Sequence, residues 1–210
     1  MHAEKIVTEI RREQIAQAAL EVISLYGIKG LTNERVAALV GIVPSALYKH
    51  YKNKSKIIEA VVELMRERMM NVIKTAQRLG SDPLECIRRV YLTEIRMIIQ
   101  SPGAPFILFL DEFITNKNKI RNQFEEIGKL HFEELTKLFQ KALDHGQIRR
   151  DFSPQTLVVF YMGVVSQTMF LTNPVFLSNP LSDKNAKTDL DILKHSENAW
   201  KAFVEMLKAK

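Results

Sequence analysis

At 210 residues the chain has room for one large helical domain, or for a small one followed by a larger one, with ample sequence to bury a core. Its one cysteine, Cys86, excludes an intramolecular disulfide and fits a reducing cytosol; the polar start Met1-His2-Ala3-Glu4-Lys5 has no apolar secretory core, so a cytoplasmic location is expected. The net charge of +6 is uneven: residues 1–56 hold nine basic and five acidic residues, leaving only +2 to the remainder, which suits either binding to a polyanion by counterion release or a solvated basic face.

In chain order, Ile6 to Tyr26 reads as a first helix with Ile10, Ile15, Ala18, Ala19, Val22 and Ile23 on one face. Arg11 and Arg12 near its start are within reach of phosphates, and Gly27 and Gly30 turn the chain. Leu31 to Tyr51 then reads as two short helices around a tight corner. Thr32 caps the first, Val36, Ala37, Leu39 and Val40 give it an apolar face, and Gly41 supplies the positive φ at its end. Pro44 opens the second, Leu47 points inward, and Ser45, Ala46, Tyr48, Lys49 and His50 face outward. Small residues beside a phenol, an ammonium and an imidazole on one open face suit a DNA major groove, where close approach and donors are both needed. Asn53 caps the next helix, Lys54 to about Leu79, with Ile57, Ile58, Val61, Met65, Met69, Val72 and Ile73 at helical spacing. That helix, 54–79, is expected to connect a DNA-binding domain at 1–55 with a second domain at 56–210.

The pattern Arg12-x-x-Ile15-x-x-Ala18-Ala19-Leu20, Gly27, Leu31-Thr32, Val36-Ala37, Gly41 and Leu47-Tyr48-x-His50-Tyr51-x-x-Lys54 resembles the DNA-binding domain of TetR-type (tetracycline-repressor-like) transcriptional regulators. The likeness covers roughly the first quarter of the chain. Val43 stands where that family usually has Ser or Thr as the cap of the recognition helix, and Tyr51 stands in place of its usual Phe. The resemblance implies an all-α fold: an N-terminal three-helix helix-turn-helix domain and a C-terminal helical domain for ligand binding and dimerisation. It also implies a homodimer that reads a palindromic operator in double-stranded DNA. The DNA-binding residues expected are Arg12, Thr32, Asn33, Ser45, Ala46, Tyr48, Lys49, His50 and Lys54. Of these, Thr32, Tyr48, His50 and Lys54 are assigned to the phosphate backbone, and Ser45, Ala46 and Lys49 to the bases.

Gly80-Ser81-Asp82-Pro83 breaks the chain before a second all-helical region. Leu84, Ile87, Val90, Tyr91, Ile95, Ile98 and Ile99 trace one helix, a short apolar segment spans Ala104 to Ile114, and a long helix runs from about Lys117 to His145. From Phe152 to Ser182 no residue is charged. A membrane span needs roughly 20 continuous apolar residues, whereas this run is interrupted by Ser166-Gln167-Thr168 and stopped at Asn173-Pro174. A helix at Gln155 to about Leu171 that is apolar on most sides is therefore expected to be covered by another subunit. It pairs with an amphipathic last helix, about Asp189 to Lys208, and the expected interface is Leu157, Tyr161, Val164, Val165, Thr168, Leu193, Trp200, Phe203, Val204 and Leu207.

Met65, Met69, Tyr91, Ile95, Ile98, Phe106, Phe109, Phe113, Phe124 and Phe160 are candidates to line an apolar effector pocket, although for each one taken singly an ordinary helical core is the first reading. His2, His50, His131, His145 and His195 form no metal-ligand spacing with each other or with Cys86, so neither a metal nor a cofactor is expected. Glu125-Glu126 and Glu133-Glu134 are neighbours that do not face one another on a helix, and His131 with Glu134 reads as surface chemistry. An enzyme is not expected. The expected function is a dimeric repressor released from its operator by a small apolar ligand; the alternative is a DNA-binding dimer that is constitutive or controlled by a protein partner.

Overall fold

The computed structural model describes residues 2–80, 82–101, 119–172 and 188–208. Among these residues it is all-helical: α1 His2–Tyr26, α2 Asn33–Val40, α3 Pro44–Leu47, α4 Lys54–Arg78, α5 Pro83–Gln100, α6 Lys119–Asp144, α7 Pro154–Thr172 and α8 Asp189–Leu207. The chain divides into two compact units, Met1–Arg68 with Gly103–Ile127, and Met69–Pro102 with Gly128–Lys210.

In the first unit α1 packs on α2 and α2 on α3. Its buried residues include Ile15, Ala19, Val22 and Ile23 of α1, Val36 and Ala37 of α2, Leu47 of α3, and Ile57, Ile58, Val61 and Val62 of α4. Two inward expectations are corrected. Ile10 and Leu39 are each about half exposed, at 51 %. Ile10 precedes the first turn of α1 that reaches the core. On α2 the buried arc is centred between Val36 and Ala37; Leu39 falls off that arc, while Val40 closes the turn and is half-buried. The corners are made by local chemistry. The Thr32 hydroxyl accepts from Arg35 N–H, and Asn53 Oδ1 accepts from Lys56 N–H at 3.0 Å. Gly41, at φ 72°, closes α2 with paired bonds from its own N–H to Ala38 O and from Ile42 N–H to Ala37 O. Gly30 is required by close approach, because a Cβ there would sit 2.3 Å from Tyr26 Cβ.

In the second unit α5, α7 and α8 pack on one another. Asp82, Ser153 and Thr188 cap α5, α7 and α8, each accepting from a backbone N–H three residues on. The core is aromatic at its centre: Tyr91 stacks on Trp200 with ring centroids 5.2 Å apart, and Phe139 meets Tyr161 and Phe203 edge-on. Its buried hydroxyls have partners. Tyr91 donates to Ser196 O at 2.9 Å, Thr168 and Ser196 bond each other at 3.2 Å, and Tyr161 donates to Glu94 Oε2 at 2.7 Å. No helix among the described residues is long and apolar enough to cross a membrane.

Candidate nucleic-acid interface

The recognition element is shorter than a full helix. Only Pro44–Leu47 is α-helical, after which Lys49 N–H bonds Ala46 O and His50 N–H bonds Leu47 O in a tighter winding. Val43 provides no side-chain cap at its start. The element is instead held from beneath by Leu47, which is 1 % exposed. Above that anchor Ser45, Tyr48 and Lys49 are exposed, Tyr48 at 59 %, while Ala46 and His50 are half-buried.

Asn33, the first residue of α2, donates from Nδ2 to the Tyr48 hydroxyl oxygen at 2.9 Å. This bond occupies a lone pair on Oη and leaves the phenol hydrogen to be given elsewhere. Thr32 is exposed at the same helix start, its hydroxyl already accepting from Arg35 N–H. His50 has a buried Nδ1 without a partner. Burial, followed by the charges of Arg11, Arg12 and Lys49, holds its imidazole below the ordinary histidine range. Arg12 lies over the Tyr51 ring, its guanidinium carbon 4.9 Å from the centroid, and the Tyr51 hydroxyl donates to Arg12 O at 3.2 Å. The exposed Lys49, Lys52 and Lys56 complete the basic surface near the element, Lys56 pairing with Glu59 at 2.9 Å.

Lys54 and Arg35 are tied to the chain itself. Lys54 Nζ donates to Ile28 O at 2.7 Å, while Arg35 Nη1 donates to Gly30 O at 2.7 Å and its guanidinium lies over the Tyr26 ring. Both cations thus clamp the 27–31 corner, and the ammonium of Lys54, expected on the DNA backbone, is engaged here. Neither tie was visible in the sequence, because each joins a side chain to a backbone carbonyl across a turn.

The second-unit expectations divide. Tyr91 and Ile95 are fully buried, Ile98 nearly so, and all three are core residues with packed or bonded neighbours. Met65 and Met69 are half-buried on α4, and Phe124 is half-buried in the first unit. Phe160, expected inward, is 46 % exposed and meets Phe152 edge-on. Phe106, Phe109 and Phe113, with the rest of the 104–114 segment, lie outside the described residues.

The residues expected on the dimer face differ in burial within the single chain. Leu157, Tyr161, Thr168, Trp200, Phe203 and Leu207 are all buried within their own unit, leaving Val164, Val165, Leu193 and Val204 half-buried. What α7 leaves open is Val159, Phe160, Met162 and Gly163, and on α8 Ala202 and Met206 are exposed. One correction concerns His131. It is 6 % exposed rather than on the surface, and it faces Glu94 of α5 while Glu134 pairs with Lys137. The isolated acid in the Val90–Ile98 face and the imidazole between Ile127 and Leu135 were the available sequence signals.

Residues 15–61 match the family described as bacterial regulatory proteins, tetR family. Among curated proteins the chain is 25 % identical over 181 residues to the nucleoid occlusion factor SlmA of Marinobacter nauticus, covering 82 % of this chain and 89 % of that one. It is 27 % identical over 140 residues to SlmA of Vibrio campbellii, with 66 % and 69 % covered. Among solved structures it is similar to the ketosteroid transcriptional regulator KstR2 of Mycobacterium tuberculosis, with TM-score 0.72, 13 % identity, and 95 % and 96 % of the two chains covered. It is also similar to AibR in complex with isovaleryl coenzyme A and operator DNA, with TM-score 0.62, 21 % identity, and 94 % and 98 % covered. At such identities the structural likeness carries the fold.

Proposed function

From the match of residues 15–61 to the tetR family of bacterial regulatory proteins we propose that the chain is a cytoplasmic, non-enzymatic repressor whose homodimer binds a palindromic operator and is released by a small molecule. The observation that carries the DNA half is the recognition element: Leu47 buried beneath it, Ser45, Tyr48 and Lys49 exposed on it, and a basic surface around it. Tyr48 and His50 address phosphates, Ser45 and Lys49 the base edges. Two such elements in a dimer meet half-sites about 34–36 Å apart. The open apolar stretch on α7, with Val159, Phe160 and Met162, supports pairing with a second copy, because a charge-free face of this kind is covered in most proteins.

Release needs only that a ligand bind the non-operator conformation better than the operator one. α4 and α6 each supply residues to both units, so a change in the second unit has covalent continuity with the first. AibR, with its coenzyme A ester and operator DNA, is a case of such a fold handling both ligands. The SlmA relatives, named as nucleoid occlusion factors, favour a second reading in which the DNA-bound dimer answers to a protein partner or to nothing. Anisotropy of the purified protein on DNA from just upstream of its own coding region, across salt and with apolar compounds, separates the two. Specific binding abolished by a compound establishes the repressor; specific binding that no compound moves favours the second reading; absence of salt-dependent binding refutes both.

A further inference from the structure

We propose that Glu94 of α5 and His131 of α6 are the polar anchor of a small-molecule site in the second unit, taking a neutral hydroxyl carried on an apolar body. The inference rests on the ligand-released reading above and names the head-group chemistry and the residues that bind it.

The pair is nearly buried, with side-chain exposures of 9 % for Glu94 and 7 % for His131. His131 Nε2 lies 3.0 Å from Glu94 Oε1, yet the ring N–H is not aligned on that oxygen. Glu94 Oε1 and His131 Nδ1 are therefore both left without a hydrogen-bond partner. Glu94 Oε2 is taken by the Tyr161 hydroxyl at 2.7 Å. Burial and the Glu94 charge push the Tyr161 phenol well above its ordinary range, which keeps it a donor. Around them the helices are apolar: Tyr91, Ile95 and Ile98 on α5, and Leu135 one turn along α6. The same core finds partners for Tyr91, Thr168 and Ser196. An ionisable pair with one open atom on each member is costly in such surroundings, and an apolar pair of similar size packs without that cost. Two open atoms on adjacent side chains mark a place for a guest that completes them.

The chemistry of the open atoms selects the guest. With a neutral ring protonated at Nε2, Nδ1 needs a donor; with a protonated ring, Nδ1–H needs an acceptor. A hydroxyl serves Nδ1 in either state, donating to it in the first and accepting from Nδ1–H in the second, where its own hydrogen is left free for Glu94 Oε1. A carboxylate brings a second negative charge beside Glu94; an ammonium, though attracted to that charge, has no lone pair to accept from Nδ1–H and leaves an N–H without a partner.

The test measures the melting temperature and operator anisotropy of the full chain with decan-1-ol, decanoate and decylammonium, for wild type, Glu94→Gln and His131→Leu. For wild type, decan-1-ol is expected to raise the melting temperature with its concentration and to weaken operator binding about tenfold or more, by linkage. Both effects are expected to vanish in the variants; His131→Gln replaces His131→Leu if the latter does not fold. Equal responses in wild type and variants, a stronger response to either charged probe, or no response to any probe overturns the anchor. If a different compound releases operator from wild type and variants alike, ligand-controlled release stands and the anchor falls. If decan-1-ol binds through the pair without moving operator affinity, the anchor stands and release through this site falls.

Discussion

Asn33→Ala and Tyr48→Phe, made singly and together, test whether the phenol reaches DNA as a positioned donor. Tyr48→Phe keeps the ring and removes the hydroxyl; Asn33→Ala keeps the hydroxyl but removes the 2.9 Å bond that orients it. A hydrogen bond to a charged group contributes about 1.5–3 kcal/mol, or about 10- to 150-fold in Kd per half-site. Tyr48→Phe is therefore expected to weaken operator binding by an amount in that range. Asn33→Ala alone is expected to lose a large fraction of it, because a phenol free to rotate must be ordered on binding. Once the hydroxyl is gone Asn33 has nothing left to orient, so the double variant should cost no more than Tyr48→Phe; the cycle thus shows coupling about equal to the Asn33 effect. Both residues lie on accessible surface, so unfolding free energies should stay within about 0.5 kcal/mol of wild type. The assay is fluorescence anisotropy on an operator duplex at fixed salt, with a melting curve for each variant. Strictly additive losses, or a Tyr48→Phe that binds as wild type does, would refute the positioned-donor argument.

Leu47→Ala removes the 1 % exposed anchor of the recognition element and is expected to cost about 2–5 kcal/mol of stability; an unchanged melting temperature contradicts the inward placement. Lys49→Ala is expected to relax discrimination at the base pair it reads by about 1–3 kcal/mol, a base contact showing in specificity more than in the slope of log affinity against log salt. Lys54→Ala, whose ammonium holds Ile28 O, should instead lower the melting temperature with little change in that slope. In the free protein burial and the neighbouring cations hold His50 below the usual histidine range, and a bound phosphate acts the other way, so DNA binding takes up a proton. Operator affinity is then expected to rise as pH falls from about 7.5 towards 6, and His50→Gln to flatten that profile.

Local chemistry is what made the DNA-binding half readable. Thr32, Asn53 and Gly41 act within four residues of their own position, and the 3.6-residue period of Val36, Leu47, Ile57 and Val61 assigns the core face without knowledge of what covers it. The periodicity failed where it carried no signal. α7 has no charged residue, so nothing in its pattern says which side faces its own core and which stays open; Leu157, Tyr161 and Thr168 went inward, Val159 and Met162 outward.

The amino-acid sequence by itself determined the helices, their caps, the buried anchor of the recognition turn and the likeness of residues 15–61 to the tetR family, because each depends on residues close together in the chain. Only the tertiary structure decided the bonds between distant groups: Asn33 to Tyr48, Lys54 to Ile28 O, and the Glu94, His131 and Tyr161 cluster. Such partners are chosen by the packing of whole helices, which brings together side chains that no sequence spacing relates.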